Sequence, residues 1–452
     1  MAGIIIADTI RASGNTVTLN SATQTVATVN ATGIFSSAGN LLTANGTFAS
    51  PTFSGTVTGT YTLGGTPTIT APVLSGTATG TYTLAGTPTI TNPTLTLQSE
   101  NVSPFIGFRN RIINGAMMID QRNAGASVTP ANTYTLDRWL TILSQVSKLT
   151  IQQNAGSVTP PAGFVNYLGA TSSSAYTVVS GDYHTITQLI EGLNSADLAW
   201  GTASAKTVTL SFWVRSSLTG TFGGSLRNSA GTRSYPFTYT ISSANTFEYK
   251  TVTITGDTSG TWLTTSGIGI GINFSMGTGS TFSGTAGAWA GTNYLSATGA
   301  TSVVGTNGAT FYITGVQLEV GSTATPFERR PFGTELALCK RYYDKTFAIG
   351  TAPAQNAGRA GALETYAVRA AADTGLSSYF RFSVPMRATP TVITYNPSAA
   401  SNQARNLDTN SNCTSTQTDN MNEIGGKFNY ALPVSTVSTN LISVHFSADA
   451  EL

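Results

Sequence analysis

Apolar and polar residues alternate with a period of two along most of this chain. In Lys206 to Ser216, Val208, Leu210, Phe212 and Val214 fall on one side, and Thr209, Ser211, Trp213 and Arg215 on the other. Ile268, Ile270, Ile272 and Phe274 alternate with Gly269, Gly271 and Asn273, and Phe311 to Val320 repeats the pattern with Gly315 at an expected bulge. Side chains on an extended strand point to opposite faces in turn, so each run predicts a strand with one buried face. Further runs are Tyr379 to Val384, Pro390 to Tyr395, and Leu441 to Phe446, where His445 opposes Ile442, Val444 and Phe446. Near the N-terminus, Ile4 to Ile6, Thr16 to Leu19 and Thr25 to Val29 are short and β-prone, separated by turn signals such as Ser13-Gly14-Asn15. The spacing predicts one helix, from a Thr334 cap to Lys345. Glu335 suits its positive end, Arg341 and Lys345 its negative end, and Leu338/Tyr342 and Cys339/Tyr343 are i,i+4 pairs. Ser195 to Trp200 predicts one further helical turn. The fold class is therefore all-β.

The runs divide the chain into five parts. Residues 1–49 are a leading segment too weakly apolar to build a core, read as an attachment segment that orders on a partner. Residues 50–100 hold a repeat: residues 50–70 and 71–91 agree at 16 of 21 positions. Tyr61, Leu63, Ile69 and Val73 are an even number of residues apart and share one face of an extended chain, but a single chain has no second layer to cover it. Several copies closing around an axis would supply that layer, which predicts a thin β-rich shaft. Residues 101–330 form the largest unit, with long strands and Gly/Ser/Asn turns that predict a two-sheet sandwich or jelly roll. Residues 331–345 are a short helical neck, and 346–452 a second β-sandwich at the tip. Within the tip, the polar stretch 396–422 exceeds an ordinary connection of about 4–6 residues and reads as a recognition loop on a rigid scaffold.

Composition narrows the chemistry. Lys and Arg number 22 and Asp and Glu 20, a net charge of +2, so the basic footprint of a nucleic-acid or anionic-lipid partner is absent. Nine of these charges crowd between Glu319 and Lys345. An apolar content of 40 % at so low a charge opposes disorder. Cys339 and Cys413 make no disulfide framework and are expected as free thiols; His184 and His445 cannot form a histidine-rich metal site. No run approaches the ~18 apolar residues of a membrane span. The apolar run at Ile4 is shorter than a signal-peptide core of ~7–15 residues, so synthesis in the cytoplasm is expected. No cofactor is expected.

A catalytic constellation is not evident. No nucleophile elbow, phosphate loop or zinc spacing occurs. Asp137 beside Arg138 reads as a structural ion pair, and His445 as a polar strand residue. A sugar ring, apolar on its faces and hydroxylated at its edges, suits an aromatic platform with a few polar donors. Trp262, Trp289 and Tyr294 lie in Gly/Thr-rich loops and are candidates for that role, whereas Trp139, Trp200 and Trp213 read as core. In the tip, Tyr395, Asn396, Asn402, Arg405, Asn406 and Asp408 are candidate contacts.

Five stretches carry a resemblance: NRIINGAMMIDQR (110–122), YTLDRW (134–139), VTLSFWVRSSLTGTFGGSLRN (208–228), TGVQLEVGSTATPFERRP (314–331) and GTELALCKRYY (333–343). Together they resemble tail fibre and receptor-binding proteins of tailed bacteriophages over about residues 101–345. The resemblance implies a homotrimeric fibre, a central jelly roll similar to carbohydrate-binding modules, an N-terminal segment bound to a tail or baseplate adaptor, and a distal tip that meets a bacterial surface polysaccharide. It carries no sugar-binding residue onto a numbered position. The expectation is thus a non-enzymatic structural protein of the virion tail, with 1–49 on the virion and 346–452 on the receptor. Arg329, Arg330, Leu338 and Tyr342 are expected to set the register of three chains at the neck. The alternatives are a polysaccharide depolymerase on the same plan, or a decorative virion protein that binds nothing.

Overall fold

The computed structural model describes residues 108–368, 375–433 and 439–452, and the backbone of four strands between residues 16 and 43. These four, β1 (Thr16–Ser21), β2 (Gln24–Asn30), β3 (Gly33–Ser36) and β4 (Leu41–Thr43), form an antiparallel meander. The runs Thr16 to Leu19 and Thr25 to Val29 fall inside β1 and β2. Ile4 to Ile6 and the 21-residue repeat lie outside the described residues. The chain divides into two compact units, Met1–Leu95 and Thr96–Leu452. All the remaining elements belong to the second unit.

The first part of that unit is a β-sandwich. The strands are β5 (Tyr134–Leu136), β6 (Trp139–Leu143), β7 (Leu149–Gln153), β8 (Leu168–Ser172), β9 (Tyr183–Glu191), β10 (Val208–Ser216), β11 (Gly220–Arg227), β12 (Ser234–Ile241), β13 (Glu248–Ile254), β14 (Ile268–Thr278), the two-residue β15 (Ser283–Gly284) and β16 (Ser296–Ala297), and β17 (Thr310–Val320). One sheet has the order β13-β10-β17-β8-β7 and the other β12-β11-β14-β9-β6-β5. Every pairing within these two sheets is antiparallel. The alternating apolar positions meet between the sheets: Val208, Leu210, Phe212 and Val214 share a core with Ile270, Ile272 and Phe274. The Phe212 and Phe274 rings pack edge to face with centroids 5.1 Å apart. Gly315 stands at the expected bulge, with φ +61° and a register shift opposite Ser211 to Trp213. A Cβ there would press into the Phe164 and Trp213 rings, so a close approach and a left-handed backbone both require glycine. The helical turn expected at 195–200 is realised as the 3-10 turn Ala196–Leu198, which follows another at Gly192–Asn194.

Beyond the sandwich, α1 (Phe332–Lys340) leads into β18 (Tyr343–Lys345). The helix departs from expectation at both ends. Pro331 occupies the N-cap without a side-chain cap, and Thr334 lies inside the first turn. Proline with its fixed φ is pre-organised for a helix start, and it places the beginning three residues early. The helix stops at Lys340 because Tyr343 to Lys345 pair with Asp449 to Ser447 in a sheet, so Cys339 and Tyr343 are not helical neighbours.

The last part is a second, smaller sandwich: β19 (Leu363–Val368), β20 (Gly375–Arg381), β21 (Thr391–Tyr395), β22 (Arg405–Asn406), β23 (Ser411–Asn412), β24 (Ser415–Asp419), β25 (Gly425–Ala431) and β26 (Thr439–Asp449). The long strand β26 organises it. β19 and β21 pair with successive halves of β26, and β18 and β22 also pair with it. A three-stranded sheet, β20-β25-β24, covers the other side. Phe380 stacks on Phe428 at 4.6 Å and tilts against Phe446 at 4.8 Å, forming the core between them. The polar stretch 396–422 is not one long loop. It contains β22, β23 and β24, with Ala404 and Cys413 pointing into the core. Polar residues on both faces of these short strands hide the period of two.

Candidate functional site

The charged junction builds a clasp that joins the two sandwiches. Glu328 accepts hydrogen bonds from the backbone N–H groups of Arg109 (3.1 Å) and Asn110 (2.8 Å). Arg330 donates to the carbonyls of Asn110 and Ile112 and pairs with Glu328 and Glu335. Glu335 in turn accepts from the Asn114 N–H. Deeper in, Arg138 pairs with Glu451 and its guanidinium lies 3.5 Å from the centroid of the Tyr342 ring. The Tyr342 hydroxyl donates to Glu191 (2.6 Å), which also holds Arg341 (2.7 Å). Lys345 donates to three carbonyls, of Gln121, Ile349 and Thr351, at 2.6–3.0 Å. The stretches 110–122, 314–331 and 333–343, which carry the family resemblance, are thus in contact.

Three expectations change here. Asp137 and Arg138 are not an ion pair: Arg138 turns to Glu451, and Asp137 accepts from the Gln121 N–H (2.7 Å) and side-chain amide (2.6 Å). Burial pushes the Asp137 carboxyl up to about 6, against the pull of the Arg122 guanidinium. Tyr342, expected at the neck register, is fully buried, with its hydroxyl on Glu191. Arg330 is likewise engaged by its own chain. Of the neck residues, Arg329 is exposed and stacks over Phe164 at 4.7 Å, and Leu338 is half-buried beside the Cys339 and Tyr342 cluster.

The aromatic candidates of the first sandwich sit at one end of its core. Trp200, Trp262 and Trp289 pack edge to face, with centroids 4.8–5.4 Å apart. Each indole N–H donates to a backbone carbonyl: Trp200 to Lys206, Trp262 to Ser259 and Trp289 to Thr255. The Tyr294 ring packs over Gly284, where any Cβ would overlap it. These side chains hold loops to the sandwich, and the three indole N–H groups are already used.

The tip candidates likewise divide. Asn396 and Asn406 are buried. Asn396 donates to the Gln403 carbonyl and Asn412; Asn406 donates to Asn440 (2.7 Å) and accepts from the Asp408 and Thr409 N–H groups. Arg405 is held by Asn410 and Asn412, and the Tyr395 hydroxyl bonds Ser447. Asp408 accepts from the Leu441 N–H, and Asn402, also exposed, bonds Gln403. They are mostly hairpin-forming residues whose hydrogen bonds fold the segment on itself.

A different face of the same domain is open. On β20, Ser378 and Phe380 point inward, so Ser377, Tyr379 and Arg381 point outward. Tyr379 is 76 % exposed, the most exposed large apolar or aromatic residue among those described. It stands beside an open depression of about 510 Å³, lined by Tyr379, Phe380, Arg381, Asn420, Asn422, Ile424, Gly425 and Gly426. The β24–β25 hairpin supplies the opposite wall. Asn420 takes a left-handed conformation (φ +50°), and the Asn422 side-chain oxygen accepts from the Ile424 and Gly425 N–H groups, leaving its amide N–H₂ free. Across the strands from Tyr379 lies Lys427, which pairs with Asp419 at 2.9 Å. That bond holds the Asp419 carboxyl below, and the Lys427 amine above, their ordinary ranges. The alternation in Tyr379 to Val384 sets Tyr379 and Arg381 opposite Phe380 and Phe382, but neither was among the candidate contacts. An aromatic residue on the polar face of an amphipathic strand was the available signal. Among the described residues, no group of three or more His, Cys, Asp or Glu is placed to hold a metal, and no helix is long and apolar enough to cross a membrane.

No protein-family model matches the chain, and no curated protein matches it. Solved structures similar to it include a phage tailspike domain and carbohydrate-binding modules. The enzymatically active domain of bacteriophage CBA120 tailspike protein 4 is 15 % identical (TM-score 0.27), over 47 % of this chain and 22 % of that one. A family 61 module in complex with β-1,4-galactotriose is 11 % identical (TM-score 0.24), over 47 % of this chain and 99 % of the module. A putative sugar binding protein from Bacteroides thetaiotaomicron is 13 % identical (TM-score 0.27), over 47 % and 99 %. Identities and scores this low establish no family and transfer no ligand.

Proposed function

We propose that this chain is a receptor-binding fibre protein of a tailed bacteriophage, non-enzymatic, which grips a bacterial surface glycan through the Tyr379 face of its C-terminal domain. The observation that carries the binding site is Tyr379 itself, an aromatic ring left in water beside a depression rimmed by free amide and guanidinium donors. Stacking a sugar face on that ring removes apolar surface from both partners, and the rim donors meet the hydroxyls. The motifs at 110–122, 314–331 and 333–343 support the fibre reading through their resemblance. Three copies on one axis would convert a weak site into avid attachment, with gains of ~10²–10⁴. The N-terminal segment would bind the tail adaptor.

The test is binding of the full chain to arrayed bacterial surface polysaccharides, with Tyr379→Ala in parallel. Loss of an aromatic anchor is expected to weaken binding about tenfold or more, since about 1.4 kcal/mol is a factor of ten and such anchors often contribute about 2 or more. Retention of wild-type affinity by Tyr379→Ala would overturn the site, and release of new reducing ends from a bound glycan would overturn the non-enzymatic reading. A solution mass near three times 46.8 kDa is expected for the trimer; a monomeric mass would overturn it.

A further inference from the structure

We infer that the glycan taken by this depression is acidic, and that Arg381 reads its carboxylate. The inference rests on the proposed role of the Tyr379 face. It starts from how this chain treats its arginines. Every other described arginine is held within the molecule by a carboxylate, a carbonyl, an amide or an aromatic ring. Arg381 alone among them is exposed with no hydrogen bond, ion pair or ring contact to its side chain. In a chain with so few charges, an unpaired guanidinium beside a depression is out of pattern. A guanidinium presents a planar fork of N–H donors that matches a carboxylate in two parallel bonds, a geometry a lone hydroxyl does not use fully.

The lining supports the same sign. Its side chains are one cation, two amides, a phenol and apolar Ile424, with no carboxylate. The nearest acid on the sheet, Asp419, is occupied by Lys427 and by the Asn429 amide (3.1 Å). Glu423 stands in the hairpin tip outside the lining. Among the lining residues, an anion entering here therefore meets one unpaired positive charge and no carboxylate, the exposed Glu423 standing next to the lining. The Tyr379 ring supplies the apolar face, the Asn420 and Asn422 amides take hydroxyls, and Arg381 takes the acid group of a uronic or similar carboxylated sugar.

The experiment uses the full-length protein and a panel of neutral and uronate-containing bacterial polysaccharides, each acidic one also in carboxyl-reduced form. The expected result is that the bound polymers carry carboxylates, that carboxyl reduction lowers affinity about tenfold or more, and that Arg381→Ala lowers affinity for the acidic polymer alone. Arg381→Lys should restore part of the loss, and binding should weaken as salt rises. Arg381 is exposed, so neither variant is expected to unfold. If binding needs Tyr379 but is strongest for neutral polymers, or survives carboxyl reduction within about twofold, the acidic-ligand inference is wrong and the site stands. If binding ignores Tyr379→Ala, or no polymer binds, the site reading fails and the inference falls with it.

Discussion

The clasp between the two sandwiches and the outer face of β20 use the same residue types in opposite ways. In the clasp, Arg138 is buried, paired with Glu451 and stacked on Tyr342, whose hydroxyl is bound to Glu191. On the outer face, Arg381 and Tyr379 stand in water with no partner for their polar side-chain groups among the described residues. The difference follows from solvation. A charge taken out of water costs several kcal/mol unless its donors and acceptors find partners, so a buried site engages them. An exposed donor exchanges water for a ligand at little cost. Free hydrogen-bonding capacity, and not residue type, therefore separates the proposed recognition face from the joint.

The largest effect expected from breaking this contrast lies in the clasp. Arg138→Met keeps the apolar volume and removes the charge, leaving Glu451 buried with Arg122 as its remaining guanidinium. Removing one partner of a buried pair typically costs about 3–5 kcal/mol. Equilibrium denaturation should show a loss of that order, and adding Glu451→Gln should recover much of it. Glycan affinity of the folded variant should be unchanged. A loss below about 1 kcal/mol, the usual worth of a surface ion pair, would mean that the clasp is solvated and that the contrast with β20 is false.

The clasp should also leave a signature in pH. Burial raises the Asp137 carboxyl to about 6 from an ordinary 3.8. The folded state then binds more protons than the unfolded state between those values, so this group's contribution is full below about pH 4 and declines as pH rises through 6. A separation of about two pH units between the folded and unfolded values corresponds to roughly 3 kcal/mol. The two histidines have the opposite sign: burial lowers both, so their contribution is present above pH 6.5 and is lost as pH falls. In Asp137→Asn the descending part disappears. Relative to wild type, the variant should gain stability by up to ~3 kcal/mol between about pH 4 and 7, whatever constant offset the lost Gln121 hydrogen bond adds. A parallel pair of stability–pH curves would contradict the assignment.

Next in size is the segment that the sequence nominated and the structure folds inward. Asn406→Ala removes three hydrogen bonds from a buried side chain. A cost of about 1–3 kcal/mol in stability is expected, with glycan affinity of the folded protein unchanged. A selective loss of binding at full stability would restore Asn406 as a contact residue.

The inward turn of Asn406 marks the boundary of what the sequence shows. The strands were legible because Val208 to Val214 and Ile268 to Phe274 alternate without interruption, although the structure buries both faces and not just the one expected: Thr209, Ser211 and Asn273 are as buried as their apolar neighbours. The bulge at Gly315 was legible because a lone glycine interrupts such a run. The core tryptophans Trp139 and Trp200 were legible because they lie among other apolar positions. What failed was long-range. Nothing local tells that Arg138 pairs with Glu451 and not its neighbour Asp137, since the partner is 313 residues away. Nothing local tells that 396–422 folds as hairpins, because its side chains bond one another across turns and leave no apolar stripe. The tip candidates Asn396, Asn406 and Asp408 show the same limit of a local reading. Asn and Asp are favoured in turns, where their side chains bind the backbone, as well as in binding loops.

The smallest stability effect should come from the residues with the largest expected effect on binding. Tyr379 and Arg381 lie on the exposed face of an edge strand, and among the described residues β20 pairs only with β25. The Tyr379 ring covers no core residue, and the inward Ser378 and Phe380 are held by Tyr430 (2.6 Å) and by the Phe428 and Phe446 rings. Tyr379→Ala, Arg381→Ala and the double variant should each move equilibrium stability by no more than about 0.5 kcal/mol, the range usual for surface changes away from caps and networks. A loss above about 1 kcal/mol from either single variant would show that the face is structural. Unchanged stability with lost affinity is the pattern a recognition surface requires, and it is the reverse of that expected for Arg138→Met and for Asn406→Ala.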